Sequence, residues 1–156
     1  MNKTRPPQES RPPPHDEKQL HDFLEGERAL LELRCCEPKA LSVLIHDLAH
    51  PMSPSLEQAI ARSLASRELA DFSSASSLLP VMMRRFGIDS AACSRDPAIH
   101  SLRTVCSACP KIATCWLALR HDAPREECRE FCPNTEALES GASRSLDSEA
   151  PQAGSS

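Results

Sequence analysis

The stretch CSACPKIATCWLALRHDAPREECREFCPN, Cys106 to Asn134, decides how this chain is read. It carries five of the eight cysteines and the single Trp of a chain of 156 residues. Cys106 and Cys109 make a C-x2-C pair, Cys115 follows after five intervening residues, and Cys132 stands directly before Pro133. Four thiolates are enough to close a structural zinc site or to hold an iron–sulfur cluster. Asp96 with Pro97 opens a helix that delivers Cys106 and Cys109 three apart, hence on one face. Pro110 breaks the run, Lys111 to His121 reads as a further helix bearing Cys115, and Pro124 opens a last one through Phe131.

Helical periodicity continues toward the N-terminus. Asp16 is placed to cap a helix to about Arg34, on which Leu20, Phe23, Leu24, Leu31 and Cys35 recur at three- and four-residue steps and are expected to face the core. Pro38 suits the first turn of a second helix with a Leu41, Leu44, Ile45, Leu48 stripe ended by Pro51, and Ser53 with Pro54 starts a third carrying Leu56, Ile60 and Leu64. Ser66 is expected to cap the short segment RELADF. Ser73 to Ser77 reads as a linker into LLPVMMRRFG, which Gly87 stops, and Asp89 restarts a turn through Ala92. With four Phe, no Tyr and a core leaning on Leu and Ala, the expected fold is all-α, a small helical domain with a four-cysteine site in its C-terminal half.

Residues 1–15, rich in Pro and charge, and residues 142–156, small and polar, read as disordered tails. Between them the chain divides into an N-terminal helical extension, residues 16–55, and a Cys-containing helical domain, residues 56–141. A net charge of -4 and a pI near 5.9 argue against a protein that coats nucleic acid or anionic membrane. No apolar run is long enough to span a bilayer, and Met1 to His15 lacks the apolar core of a signal peptide. The expected compartment is therefore the cytoplasm, where eight cysteines read as metal ligands, redox thiols or buried small hydrophobes rather than disulfides.

Cys132 and Cys128 both qualify as the fourth ligand, and Cys132 is preferred because a ligand followed by Pro recurs in cluster-binding loops. Zinc ribbons usually show two C-x2-C knuckles, whereas this chain has one such pair and no Gly from Ile88 to Ser140, which favours an iron–sulfur cluster over zinc. The C-x2-C-x5-C core resembles the tri-cysteine element of WhiB-like iron–sulfur regulators and of the cluster loop in some DNA glycosylases. In those proteins the fourth ligand precedes the trio, a place that Cys93 would fill here. The Gly-Trp-Gly-Gly turn that follows in WhiB-like proteins is missing after Cys115.

From about Leu56 to Leu138 the sequence also resembles the bacterial domain of unknown function numbered 6455, through LLPVMMRRFGID (Leu78 to Asp89), CSACPKIATC (Cys106 to Cys115) and EFCPN (Glu130 to Asn134). The resemblance implies that Cys106, Cys109, Cys115 and Cys132 are the recurring four. Cys93 and Cys128 fall where that family has other residues, so they rank behind as metal ligands. The family brings no established activity.

Other candidates are weaker. His46 and His50 sit four apart near Cys35 and Cys36, but no H-E-x-x-H pattern accompanies them, and Cys35 and Cys36 read as one buried and one exposed thiol. His100 and His121 flank the cysteine region. Arg84, Arg85, Arg95, Arg103, Lys111 and Arg120 read as solvated helix surface, because the aromatic partners of nucleic-acid stacking are absent. Met82 and Met83 read as core filler. There is no phosphate-cradling Gly loop, Ser-centred elbow or recognisable pair of carboxylates. The expected protein is a non-catalytic metal-binding module, on iron–sulfur or zinc, with a redox- or metal-responsive regulatory role and an unidentified protein partner. The alternatives are a thiol oxidoreductase using Cys106 and Cys109, and a DNA-binding regulator with a thiol switch.

Overall fold

The computed structural model describes residues 14–141, apart from residues 92 and 94. The expected disorder of residues 1–15 and 142–156 lies outside them, except that residues 14 and 15 are helical. Eight helices follow in order: α1 (Pro14–Cys36), α2 (Pro38–His46), α3 (Pro54–Ala65), α4 (Ser74–Ser77), α5 (Leu79–Arg85), α6 (Pro97–Ser107), α7 (Ile112–Arg120) and α8 (Arg125–Cys128). A ninth, α9, spans residues 135–141, and no strand occurs among the described residues. The fold is all-α.

Helix starts follow the local chemistry. Ser53 Oγ accepts from the Leu56 N–H at 3.2 Å and Asp96 Oδ1 from the Ala98 N–H at 2.9 Å, each ahead of a Pro in the first turn. Asp16 does not cap α1, which begins two residues earlier at Pro14, where a missing N–H costs the helix nothing.

Three helices end alike. After α3, α5 and α7 the chain enters the left-handed region at Arg67 (φ 60°), Gly87 (φ 79°) and Asp122 (φ 56°). The next N–H then turns back to the last helical turn, Glu68 to Ser63 O, Ile88 to Met83 O and Ala123 to Ala118 O, each at 2.9 Å. Gly87 was the expected stop. Ser66, expected to begin a segment, instead closes α3, and residues 67–73 are turns and irregular chain. The expected Ser-rich linker is α4, a single turn capped by Ser73, which buries Ser74 and Ala75.

Trp116 lies at the centre of the core, fully buried with Phe86, Ile60, Leu64, Leu78, Met82, Met83 and Leu138 around it in one apolar cluster. The N-terminal helical extension packs into this core: Leu30, Leu41 and Ile45 join the cluster, and the Trp116 indole N–H donates to Ile45 O at 3.0 Å. The crossing of α1 over α3 needs Gly26, since a methyl there would overlap the Ser55 carbonyl.

The face of α1 is the main departure from expectation. Leu20, Leu24 and Leu31 are 59%, 56% and 65% exposed, Phe23 is also exposed, and Gly26 and Leu30 face the core in their place. Cys35 and Cys36 are both exposed. Periodicity fixed the spacing of an apolar stripe and left open which side of the helix meets α3, and the side with the glycine wins because it allows the closer approach.

Candidate metal centre

Cys106 lies in the last turn of α6, and the helix stops at Ser107. Cys109 is therefore not on a shared helical face as expected: it sits in the turn beyond, its N–H donating to Cys106 O at 3.1 Å. Pro110 follows, and Cys115 projects from α7. The α8 helix ends at Cys128, earlier than the expected Phe131, so Cys132 lies in an irregular turn whose N–H returns to Cys128 O at 3.0 Å.

These four cysteines line one cavity of about 20 Å³, closed by Leu78, Leu79, Met82, Phe131, Pro133 and Asn134. The two lower-ranked candidates are elsewhere. Cys128 is fully buried in the apolar core, its thiol 3.9 Å from Ala123 O, and Cys93 lines an open groove of about 810 Å³ on the other side of Leu102 and Asn134. A cavity this small, left empty, costs only about 0.5 kcal/mol. The gap alone is ordinary; its lining by four thiols is not.

Polar groups approach the cysteines from three directions. The Lys111 N–H points at Cys109 Sγ from 3.2 Å. The Ser74 hydroxyl lies beside the Cys106 thiol and donates its proton to Cys106 O at 2.9 Å, and the Asn134 N–H acts on Cys132. Arg67 grips the turn from outside, donating to Cys109 O at 2.7 Å and Ser107 O at 3.3 Å. Asn134 is itself buried and donates to Leu102 O at 3.0 Å, which ties the Cys132 turn to α6.

Burial pushes the Cys106 thiol up to about 11 against the pull of Ser74, with Cys109 and Cys132 adding to the rise. Burial likewise raises Cys115, reinforced by Cys132, Cys106 and Cys109, and raises Cys132 against the pull of the Asn134 N–H. Cys106, Cys115 and Cys132 therefore hold their protons at neutral pH, and any metal bound there would have to displace them.

The sulfurs are spread. Among the described residues no three of them lie within 4.8 Å of one another, whereas a tetrahedral zinc with bonds of about 2.3 Å sets its four sulfurs about 3.8 Å apart. A cubane cluster holds its thiolates farther apart, because each binds a different iron. The donor set fits either group in kind.

None of the described histidines joins the site. His46 Nδ1 lies 2.8 Å from Ser42 O, and α2 ends there, so His50 loses the expected helical spacing to it. His121 Nε2 is 2.8 Å from Glu57 Oε1, and His100 lines a separate shallow groove. His21, Asp22 and Glu25 do come within 4.8 Å of one another on α1, as a surface group half bound up in the Lys18–Asp22 ion pair. Of the six basic residues, Arg85 pairs with Asp122 and Arg120 with buried Glu57. Sequence reasoning missed Ser74, Arg67 and Asn134, since each reaches the cysteines only through tertiary contact.

No protein family, curated protein or solved structure matches the chain.

Proposed function

We propose that Cys106, Cys109, Cys115 and Cys132 hold an iron–sulfur cluster, and that the protein is a small metal-binding module without a catalytic site. The observation that carries this reading is the single cavity that gathers these four cysteines and leaves out Cys93 and Cys128. The same four are those implied by the resemblance to the 6455 domain. A cluster held there would supply a reversible electron couple, and the Lys111 and Asn134 N–H groups aimed at the sulfurs are the kind of contact that sets its potential. With Cys109 and Cys115 buried and Cys106 and Cys132 half-buried, the site suits sensing or structure better than turnover, which supports a redox- or metal-responsive regulator acting through a protein partner.

The oxidoreductase alternative is disfavoured by the same burial. A redox nucleophile needs a depressed pKa, and Cys106 lies at the end of a helix whose C-terminus stabilises cations, not thiolates. Nucleic acid is disfavoured by the pairing of Arg85 and Arg120. No helix among the described residues is long and apolar enough to cross a membrane. A reducing cytoplasm would keep eight unpaired thiols available for a metal.

A second reading, zinc, is favoured by the size of the cavity, which suits one ion. Anaerobic purification followed by metal analysis and an absorption spectrum separates the two. Iron with sulfide and a broad band near about 400 nm supports the cluster. One zinc per chain and no visible colour replaces it with zinc, and protein that takes up neither metal sinks the site.

A further inference from the structure

The exposed side of α1 is an ordered apolar stripe. At about 100° per residue Leu20, Leu24, Leu31 and Cys35 fall within about 60° of one another, roughly a third of a turn from the side that buries Leu30. With Phe23 at its edge the stripe leaves on the order of 400 Å² of apolar surface in water, as much as the largest patches that monomers usually carry. Single exposed leucines need no explanation, but a stripe running in phase over four turns does.

The two flanks of the stripe differ in charge use. On the flank nearer the core, Glu27 is bound to Arg62, which also lies over the Phe23 ring, and Arg34 faces Glu68. The outer flank carries His21, Glu25, Arg28 and Glu32, and of these Glu25, Arg28 and Glu32 form no ion pair among the described residues.

We infer that a second copy of this chain covers the stripe, α1 packing on α1 antiparallel about a two-fold axis between Glu27 and Arg28. In that register Leu24 of one copy meets Leu31 of the other, and Leu20 meets Cys35. The two-fold brings outer flank against outer flank, so Arg28 lies half a turn from the other copy's Glu25 and Glu32 half a turn from its His21, each pairing occurring twice. A parallel pair would instead set the outer flank against Glu27 and Arg34, whose charges are already satisfied within the chain. The apolar stripe and its charged flanks together reach the roughly 1,000 Å² expected of a specific interface. Pairing of the α1 helices needs no metal in the cysteine cavity.

Sedimentation equilibrium of the full chain tests it. The expected mass is twice the 17.1 kDa of one chain. Leu24→Glu with Leu31→Glu should raise the dimer dissociation constant more than about a hundredfold while circular dichroism stays unchanged, because both leucines are outside the core. Arg28→Glu should raise it about fivefold, and adding Glu25→Arg should restore it. In a Leu20→Cys variant a short thiol cross-linker should join residue 20 of one copy to Cys35 of the other, read by peptide mass spectrometry. A monomer at every concentration overturns the proposal, as does a dimer that survives the double Glu variant or a link from residue 20 to residue 20.

Discussion

Where α3 meets α7, the buried Glu57 carboxylate takes the Arg120 Nε–H at 2.7 Å and lies 2.8 Å from His121, while Arg120 also donates to Leu48 O at 3.2 Å and lies over Trp116. Where α6 meets the turn after α8, four thiols face a gap and no side chain crosses it. The first region closes its core with hydrocarbon and matches each buried charge with an opposite one. The second leaves four polarisable thiols lining a common space, and the groups that could satisfy them are mostly backbone N–H donors.

The contrast between the two regions stands or falls first on the metal. Structural metal binding contributes about 10 to 16 kcal/mol of apparent folding free energy, more than the usual net stability of a domain. Cys115→Ser, or a strong chelator, should therefore abolish metal content and melt α6 and the residues beyond it, with hydrogen exchange in α1 to α3 changing far less. Uniform exchange across both regions, or an unchanged melting curve, would show the two regions to be alike.

Next comes the Glu57–Arg120 pair, whose side chains are 9% and 7% exposed. Arg120→Leu strands a buried carboxylate and should cost about 3 to 5 kcal/mol, measured by urea unfolding. Burial alone would raise the Glu57 carboxyl, but the hydrogen bonds from Arg120 and His121 win and hold it below the ordinary carboxylate range. Its stabilisation is complete above the unfolded value of about 4.3 and lost as pH falls through the folded value. The gap in stability between the natural chain and Glu57→Gln should accordingly close in acid and stay constant toward neutral pH. A gap that instead widens in acid would mean that the pair does not hold the carboxylate ionised.

Gly26 bears on the metal-independent region alone. Gly26→Ala drives a methyl into the Ser55 carbonyl and should cost about 1 to 3 kcal/mol by parting α1 from α3, with metal content unchanged. An unaffected melting temperature would mean that the crossing of α1 over α3 is looser than Gly26 implies.

Much of this was legible along the chain, and what was not has physical causes. Caps at Ser53 and Asp96 and the stop at Gly87 are local, so residue type alone reveals them. The ends at Arg67 and Asp122 are the same motif carried by residues that disfavour a positive φ, so they are silent in sequence. Spacing singled out Cys106, Cys109, Cys115 and Cys132, and it misjudged how they are held, because the α6 helix stops before Cys109. The stripe on α1 was visible as a period, but a period does not say whether its partner lies within the chain.

Arg67 joins the two regions, and the smallest expected effect is the most discriminating. It ends α3 at a φ of 60° and places its guanidinium on Cys109 O and Ser107 O. Gly in its place would relieve about 1 kcal/mol of backbone strain and forfeit hydrogen bonds of similar worth from a largely exposed side chain. Arg67→Gly should thus leave global stability within about 0.5 kcal/mol of the natural chain. The two contributions fall on different regions, however. The relief goes to the end of α3, whereas the loss loosens the turn that presents Cys109 to the cavity. Metal should consequently leave the Arg67→Gly protein several-fold faster when challenged with a chelator, at unchanged unfolding free energy. If release is not accelerated, the cysteine turn is held by the cavity itself and Arg67 only ends a helix.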